Sequence, residues 1–187
     1  MITVIHGGQT GVDRGAHEAA IDSGWHVAGY MPRDGRDELG PIPPDVARFL
    51  MPHPKTGYMA RTEGNVRMSD ALLVVVREAV DPRATPGTAR TIDLAIDRRL
   101  RRMIVDPICS ARKIAEWIWR DLLAYRTLPL PMGSESEIEP IPVRLMVAGP
   151  RESRWSGARV ETAGLLRRVA LALGELEAGR ALRRSAS

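Results

Sequence analysis

The stretch ITVIHGGQTGVDRGAHEAA at residues 2–20 decides the fold class. Its β-branched start, ITVIH, predicts a short strand that ends at the glycine pair Gly7 and Gly8. Residues 12–23 then place alanines and an isoleucine on one face, which is typical of a packed helix. The chain therefore opens with a strand, a tight loop and a helix.

The same alternation continues along the rest of the chain. Uninterrupted apolar runs such as ALLVVV at 71–76 predict strands buried on both faces, as in a parallel sheet. We expect further strands at 25–30, 102–106 and 143–149, and helices at 58–70 (interrupted at Gly64), 87–100, 114–125 and 165–176. The predicted fold is an α/β, three-layer, doubly wound, Rossmann-like fold with a mainly parallel sheet of about five or more strands.

Length and composition favour one folded domain. The chain has 187 residues, of which 44% are hydrophobic and 27% charged, so it has enough apolar surface for a core. We expect a single ligand-binding domain over residues 1–180 and a flexible tail over 181–187.

Targeting and metal signals are absent from the sequence. It has no apolar window of membrane-spanning length and no basic, cleavable leader, so we expect a cytoplasmic protein that does not enter a membrane. A single cysteine, Cys109, rules out an intramolecular disulfide, and the four histidines lack metal-ligand spacing. No metal site made of side chains is predicted.

The net charge of +4 comes from the C-terminal part, where residues 144–187 carry nine basic and four acidic side chains. A nucleic-acid or signalling module that uses this segment stays open as a third hypothesis. Nucleic-acid binding is not favoured, because one Phe and three Tyr offer no interleaved stacking surface.

The glycine-rich turns point to a ligand. Gly7 with Gly8, Gly87 and Gly149 each follow a predicted strand, and ligands of such sheets bind beyond the carboxyl ends of the strands. Amides at a helix start suit an anion, so Gln9, Thr10 and Gly11 in the first loop and Thr88 in the second are candidate ligand contacts.

Two common phosphate-binding motifs do not match. The first loop lacks the Gly-x-Gly-x-x-Gly spacing of a dinucleotide site and the Gly-Lys-Ser/Thr of a P-loop. Arginines lie in or beside several loops and helix starts, and their planar guanidinium groups suit phosphate or an oxyanion such as molybdate: Arg14, Arg33, Arg36, Arg61, Arg151 and Arg154. Asp13 is expected to fix the first loop by accepting hydrogen bonds from its amides.

With these residues in view, the chain resembles the molybdenum cofactor carrier proteins. They form a branch of the superfamily that also contains the lysine-decarboxylase-like (LOG) phosphoribohydrolases and the Rossmann-like domain of DprA. The matching stretches are GGQTGVDRGAHEAA (7–20), GYMPRDGRDELGPIP (29–43), YMARTEGNVRMSDALLVV (58–75), PGTARTIDLA (86–95) and VAGPRESRWSG (147–157).

The resemblance implies a Rossmann-like dimer or tetramer that binds molybdenum cofactor, a phosphorylated pterin carrying an oxo-metal. It points to Gly7, Gly8, Gln9, Thr10, Gly11, Arg14, Arg33, Arg36, Thr62, Asn65, Gly87 and Thr88 as ligand-binding residues. The chain departs from relatives in the second loop, which has no cysteine and one inserted residue, and at Pro86, where a second glycine is usual.

Two functions follow from these features. The first is a non-catalytic carrier for a phosphorylated anionic ligand, either molybdenum cofactor or a related nucleotide-like molecule. The alternative is a phosphoribohydrolase that cleaves the N-glycosidic bond of a nucleoside monophosphate, for which Asp93 and Glu63 are the candidate acids. The carrier is the preferred interpretation, because no coherent nucleophile and base are identifiable.

Overall fold

A computed structural model describes residues 1–77, 81, 85–123 and 142–185. Its strands are β1 (Ile2–Ile5), β2 (His26–Ala28), β3 (Tyr30–Met31), β4 (Arg36–Asp37), β5 (Gly40–Pro41), β6 (Met51–Pro52), β7 (Ala71–Val75), β8 (Arg101–Val105) and β9 (Val143–Ala148). Its helices are α1 (Val12–Asp22), α2 (Pro44–Ala47), α3 (Tyr58–Arg67), α4 (Pro86–Asp97), α5 (Ala111–Ile118) and α6 (Ala158–Ser185).

Five strands form one parallel sheet in the order β2-β1-β9-β7-β8. The chain moves from β1 to β2 in one direction along the sheet and from β7 to β8 in the other. The strand order therefore reverses between β1 and β7, where β9 is inserted, and this is the position at which such sheets bind ligands. The predicted fold class is confirmed.

Alternating residues of the strands fill two core layers. Leu73 and Val75 of β7 pack with α1, α5 and α6 on one face of the sheet. Leu72 and Val74 pack with α3 and α4 on the other face. Both faces of β7 are fully buried, which is why its sequence is an unbroken apolar run.

A small lobe, formed by β3, β4, β5, α2 and β6, follows β2. The predicted strand at 25–30 is divided at Gly29, where the backbone has a φ of 142° and a β-carbon would lie 2.1 Å from the carbonyl oxygen of His6. β2 joins the main sheet, whereas β3 pairs with β6. The lobe has its own apolar cluster of Ile42, Val46 and Leu50, and Gly8 lies directly against it.

Some predicted boundaries differ from the structure. The interruption of α3 at Gly64 is wrong, because the helix continues through this residue. Here a side chain would press against the rings of Tyr30 and His53, so glycine allows the lobe to approach the helix. α5 ends at Ile118 and continues as a π-helical turn over Trp119–Leu123, and the remaining predicted helical residues lie outside the described part of the chain.

The C-terminal helix is longer than expected. α6 extends to Ser185, over most of the segment predicted as a flexible tail, and residues 186 and 187 lie outside the described part. Within the described residues, no helix is long and apolar enough to cross a bilayer, and no group of histidine, cysteine, aspartate or glutamate side chains could hold a metal ion.

Candidate functional site

A cleft of about 370 Å³ lies at the carboxyl edge of the sheet. Four segments line it: the loop after β1 with the start of α1, the first turns of α3, the start of α4, and the end of β9 with the loop after it. The loop after β1 and the loop after β9 meet at Gly11, where a β-carbon would lie 2.6 Å from the carbonyl oxygen of Pro150. Close backbone contact at this position requires glycine, which also adopts the φ of 70° found there.

The charged residues that line the cleft are mainly cationic. Arg61, Arg151 and Arg154 contribute guanidinium groups, and Asp13 is the one carboxylate in the described lining. Arg151 also lies 3.4 Å from a carboxylate oxygen of Glu38, whereas the side chain of Arg154 makes no ion pair within the described residues. This excess of positive charge favours an anionic ligand.

The first turn of α4 adds hydrogen-bond donors. Pro86 occupies the start of the helix, and the amides of Gly87 and Thr88 have no acceptor within the described residues. The hydroxyl oxygen of Thr85, just before the helix, is buried and has no hydrogen-bond partner there either. Free amides and the positive end of the helix dipole make this turn suitable for an oxyanion.

Arg61 lies in the space that Gly7 leaves empty. A β-carbon on Gly7 would be 1.9 Å from Nη1 of Arg61, so the guanidinium group packs directly on the first glycine of the loop. Arg61 is 9% exposed, and its Nε atom is buried without a hydrogen-bond partner in the described structure. Its Nη1 atom is 3.9 Å from Oδ2 of Asp13. A buried guanidinium with unused donors is a natural contact for a phosphate.

Asp13 organises the first loop as predicted. Its Oδ2 atom accepts hydrogen bonds from the amides of Gly7 and Gln9, at 2.9 and 3.1 Å. Burial raises the pKa of the Asp13 carboxyl, while Arg61 and the two amides partly oppose this effect. The carboxylate is therefore mainly a structural group, placed next to a cation.

Two buried histidines, His6 and His17, lie next to the same loop. The amide of Gly8 donates to Nδ1 of His6 at 3.0 Å, so Nδ1 must be unprotonated and the ring proton lies on Nε2. That nitrogen is 3.2 Å from Nδ1 of His17, which fixes the donor and acceptor roles of both rings. Burial, followed by the nearby His17 and Arg61, lowers the pKa of His6 well below its usual value.

Glu38 joins the small lobe to both loops of the cleft. Its carboxylate accepts hydrogen bonds from the hydroxyls of Thr10 and Ser153, and the amide of Ser153 donates to it at 3.1 Å. Burial raises the pKa of Glu38, but the hydrogen bonds from Ser153 and Thr10 and the charge of Arg151 outweigh it, so the pKa is lowered overall. The ionised carboxylate holds three segments together.

Comparison with known proteins assigns the chain to a family. The model of the circularly permutated YpsA SLOG family matches residues 4–129, which is well over half of the chain. The chain belongs to the circularly permutated YpsA SLOG family. This agrees with the resemblance identified from the sequence motifs.

A solved structure is similar to this SLOG-family chain over nearly its whole length. It is the crystal structure of a "Putative molybdenum carrier protein" from Syntrophus aciditrophicus SB, with a TM-score of 0.70 and 25% sequence identity. The match covers 90% of this chain and 94% of the other. A search of curated proteins gave no match.

The cleft of this SLOG-family chain brings together four of the predicted ligand-binding residues. Gln9, Thr62, Gly87 and Thr88 all line it. Gly7 lies beside them under the guanidinium group of Arg61. These residues come from three segments that are far apart in the sequence. The glycine-rich turns predicted two of these segments, and the family resemblance pointed to the third, on α3.

Other predicted residues make internal contacts that shape the site. Gly8 and Gly11 form close backbone contacts, and Thr10 bonds to Glu38. Arg14 forms an ion pair with Asp37 at 2.7 Å and is largely buried. Asn65 is fully buried against Tyr30.

Arg33 and Arg36 do not line the cleft. Both are exposed in the small lobe, where Arg33 lines a second cavity together with Tyr58. Arg36 belongs to the short strand β4 and lines neither of these two cavities. The two arginines are therefore in different positions, although they are only three residues apart.

Tyr58 and Met59 line the cleft but were not predicted, and Arg61 also lines it but was named only among the arginines suited to phosphate and not among the ligand-binding residues. Helical spacing could have found two of them. Positions 58, 61, 62 and 65 lie on one face of a helix, and the family resemblance had already pointed to Thr62 and Asn65. Met59 and Met146 give the cleft an apolar side that no motif indicated.

Proposed function

We propose that this protein is a carrier that binds a phosphorylated anionic ligand in the cleft, with molybdenum cofactor as that ligand. The observation that carries the proposal is the group of unused donors around Arg61 and the start of α4. Arg61 Nε and Thr85 Oγ1 are both buried without partners among the described residues, and the amides of Gly87 and Thr88 are free there. Buried polar groups normally have partners, so an anion between them would complete the site.

The lining fits the two chemical parts of this ligand. Arg61 and the amides of Gly87 and Thr88 would hold its phosphate group. Met59 and Met146 line the same cleft and offer apolar surface to a flat pterin ring. The metal would be cargo carried on the ligand, and the similar "Putative molybdenum carrier protein" supports this choice.

Contacts of the acidic residues favour binding over hydrolysis. Glu63 pairs with Arg67 and lines a different cavity, and Asp93 does not line the cleft. Asp13 does line it, but its Oδ2 atom accepts two loop amides. N-glycosidic hydrolysis needs a carboxylate aimed at the substrate, so a carrier function agrees better with this geometry.

Isothermal titration tests the proposal directly. Molybdenum cofactor, molybdate and nucleoside monophosphates are titrated separately into the wild-type protein and into Arg61→Gln. We expect binding of the phosphorylated ligands that weakens roughly tenfold or more in Arg61→Gln, because a charged hydrogen-bonding group is lost. Arg67→Gln, which removes an exposed arginine from the same helix, is the control and should bind as wild type.

Two results would contradict the carrier. The first is no binding of any phosphorylated ligand at tens of micromolar. The second is release of free base from a nucleoside monophosphate, which would favour the phosphoribohydrolase instead. The family resemblance also leads us to propose a cytoplasmic dimer or tetramer, which light scattering and cell fractionation would test.

A further inference from the structure

A second cavity adjoins the cleft and shares Tyr58 with it. Its volume is about 340 Å³, and it is lined by Pro32, Arg33, Asp34, Thr56, Gly57 and Tyr58. It lies where the small lobe meets the start of α3. Tyr58 is the first residue of this helix and is a wall of both cavities.

Tyr58 is well placed to contact a ligand on either side. It follows Gly57, whose φ of 93° turns the chain into the helix, and it is 51% exposed. Its hydroxyl makes no hydrogen bond within the described residues. A large aromatic ring exposed between two cavities offers stacking area to flat ligands.

The second cavity is also lined by an arginine, Arg33. Arg33 is exposed and makes a single long hydrogen bond, 3.4 Å, to the carbonyl oxygen of Pro54. It forms no ion pair within the described residues, in contrast to Arg14, which is paired with Asp37. Arg33 can therefore bind a ligand without breaking an existing salt bridge.

We propose that the ligand has two parts joined through a diphosphate, as in a dinucleotide, and that it extends from the cleft past Tyr58 to Arg33. This inference rests on the proposed function, since it assumes that an anion binds near Arg61. Each cavity alone is near the lower end of the range of about 300–1,000 Å³ that is usual for small-molecule sites. Together the two cavities have the size for two ring-bearing units.

Titration calorimetry with matched probes tests this extension. The probes are inorganic pyrophosphate, AMP, GMP, and the dinucleotides diadenosine diphosphate and diguanosine diphosphate. We expect at least one dinucleotide to bind roughly tenfold or more tightly than its mononucleotide. Arg33→Gln should remove this advantage and leave the affinity for the mononucleotide unchanged. Arg36→Gln is the matched control and should keep the advantage, because Arg36 lines neither cavity.

The possible outcomes separate this inference from the proposed function. Equal affinities for both dinucleotides and their mononucleotides, or an advantage that survives Arg33→Gln, would overturn the two-part ligand. If pyrophosphate or a mononucleotide still bound and lost affinity in Arg61→Gln, the anion site would stand without the extension. Absence of binding by every probe would overturn the extension, and absence of binding by molybdenum cofactor as well would overturn both.

Discussion

Asn65 forms two hydrogen bonds with the backbone of Tyr30. Its Oδ1 atom accepts from the amide of Tyr30 at 2.6 Å, and its Nδ2 atom donates to the carbonyl oxygen of the same residue at 3.0 Å. The side chain is fully buried. Asn65 of α3 thus bonds to both backbone groups of Tyr30, as a neighbouring strand would. These bonds fix the start of the small lobe to the helix that lines the cleft.

Replacing Asn65 by alanine should lower the free energy of unfolding by about 2–4 kcal/mol. The substitution removes both bonds and leaves polar backbone atoms without partners, which costs more than the bonds alone. Urea denaturation followed by circular dichroism measures the change. Arg67→Gln, at an exposed ion pair on the same helix, is the control and should lower the free energy of unfolding by less than about 0.5 kcal/mol. An equal loss in the two variants would show that the hydrogen bonds between Asn65 and Tyr30 do not stabilise the fold.

Gly7→Ala should weaken anion binding through Arg61. The new β-carbon would occupy the position of the guanidinium group, so the Arg61 side chain must leave its place against Gly7. We expect a loss of roughly tenfold or more in affinity for inorganic pyrophosphate, measured by calorimetry.

A double-mutant cycle shows whether this loss depends on Arg61. In an Arg61→Ala background, Gly7→Ala should cause little further loss, because the group that it displaces is already gone. Gly174→Ala, on α6 with open space around it, should leave binding unchanged. Losses that simply add would mean that Gly7 acts independently of Arg61.

Stability should decrease as the pH falls below 6.5, the usual pKa of histidine, because His6 and His17 have lowered pKa values in the folded state. In this range the unfolded chain takes up protons that the folded chain does not, so unfolding becomes more favourable. Above it the rings are neutral in both states and the effect vanishes. Urea midpoints measured across this range would show the slope.

His6→Asn tests the assignment. Asparagine can still accept from the amide of Gly8, but it does not titrate, so the slope below pH 6.5 should be shallower than in wild type. His26→Asn removes an exposed histidine and serves as the control. An unchanged slope in His6→Asn would place the pH dependence elsewhere.

Glu38→Gln should destabilise the protein by roughly 1–3 kcal/mol at neutral pH, because the ionised carboxylate binds donors from two loops. Its folded-state pKa lies below the usual 4.5, so its contribution is complete above that pH and is lost as the pH falls through the lowered value. The difference in unfolding free energy between wild type and Glu38→Gln should therefore shrink in acid. Glu116→Gln, at an exposed helix pair, should show no such difference.

The features that depend on local patterns could be predicted best from the sequence. The strand, turn and helix at residues 2–20 and the buried strand at 71–75 follow from apolar periodicity and glycine, and the cleft lies where these patterns place it. The pairing of β3 with β6 was not predicted, because each contributes two residues and the pair lies far apart in the sequence. Short ladders of this kind depend on tertiary packing, which periodicity does not record.

Residue types alone did not separate ligand contacts from internal contacts. Arg14 and Arg33 both follow glycine- or proline-containing turns, yet Arg14 meets a buried carboxylate and Arg33 faces a cavity. The difference comes from Asp37, which the fold brings next to Arg14 from the small lobe. Arg61 was not predicted as a ligand-binding residue, because its position depends on the space that Gly7 leaves by having no side chain. Residue type does not reveal that space.

The position of β9 has a consequence for how the chain folds during synthesis. This strand is the last to be made, yet it lies between β1 and β7 and hydrogen-bonds to both. A nascent chain that ends before residue 143 would expose the edges of β1 and β7, the kind of unpaired strand edge that promotes aggregation. The central sheet can close only after residues 143–148 have left the ribosome, so the sheet should form late during synthesis and should be sensitive to truncation before residue 143.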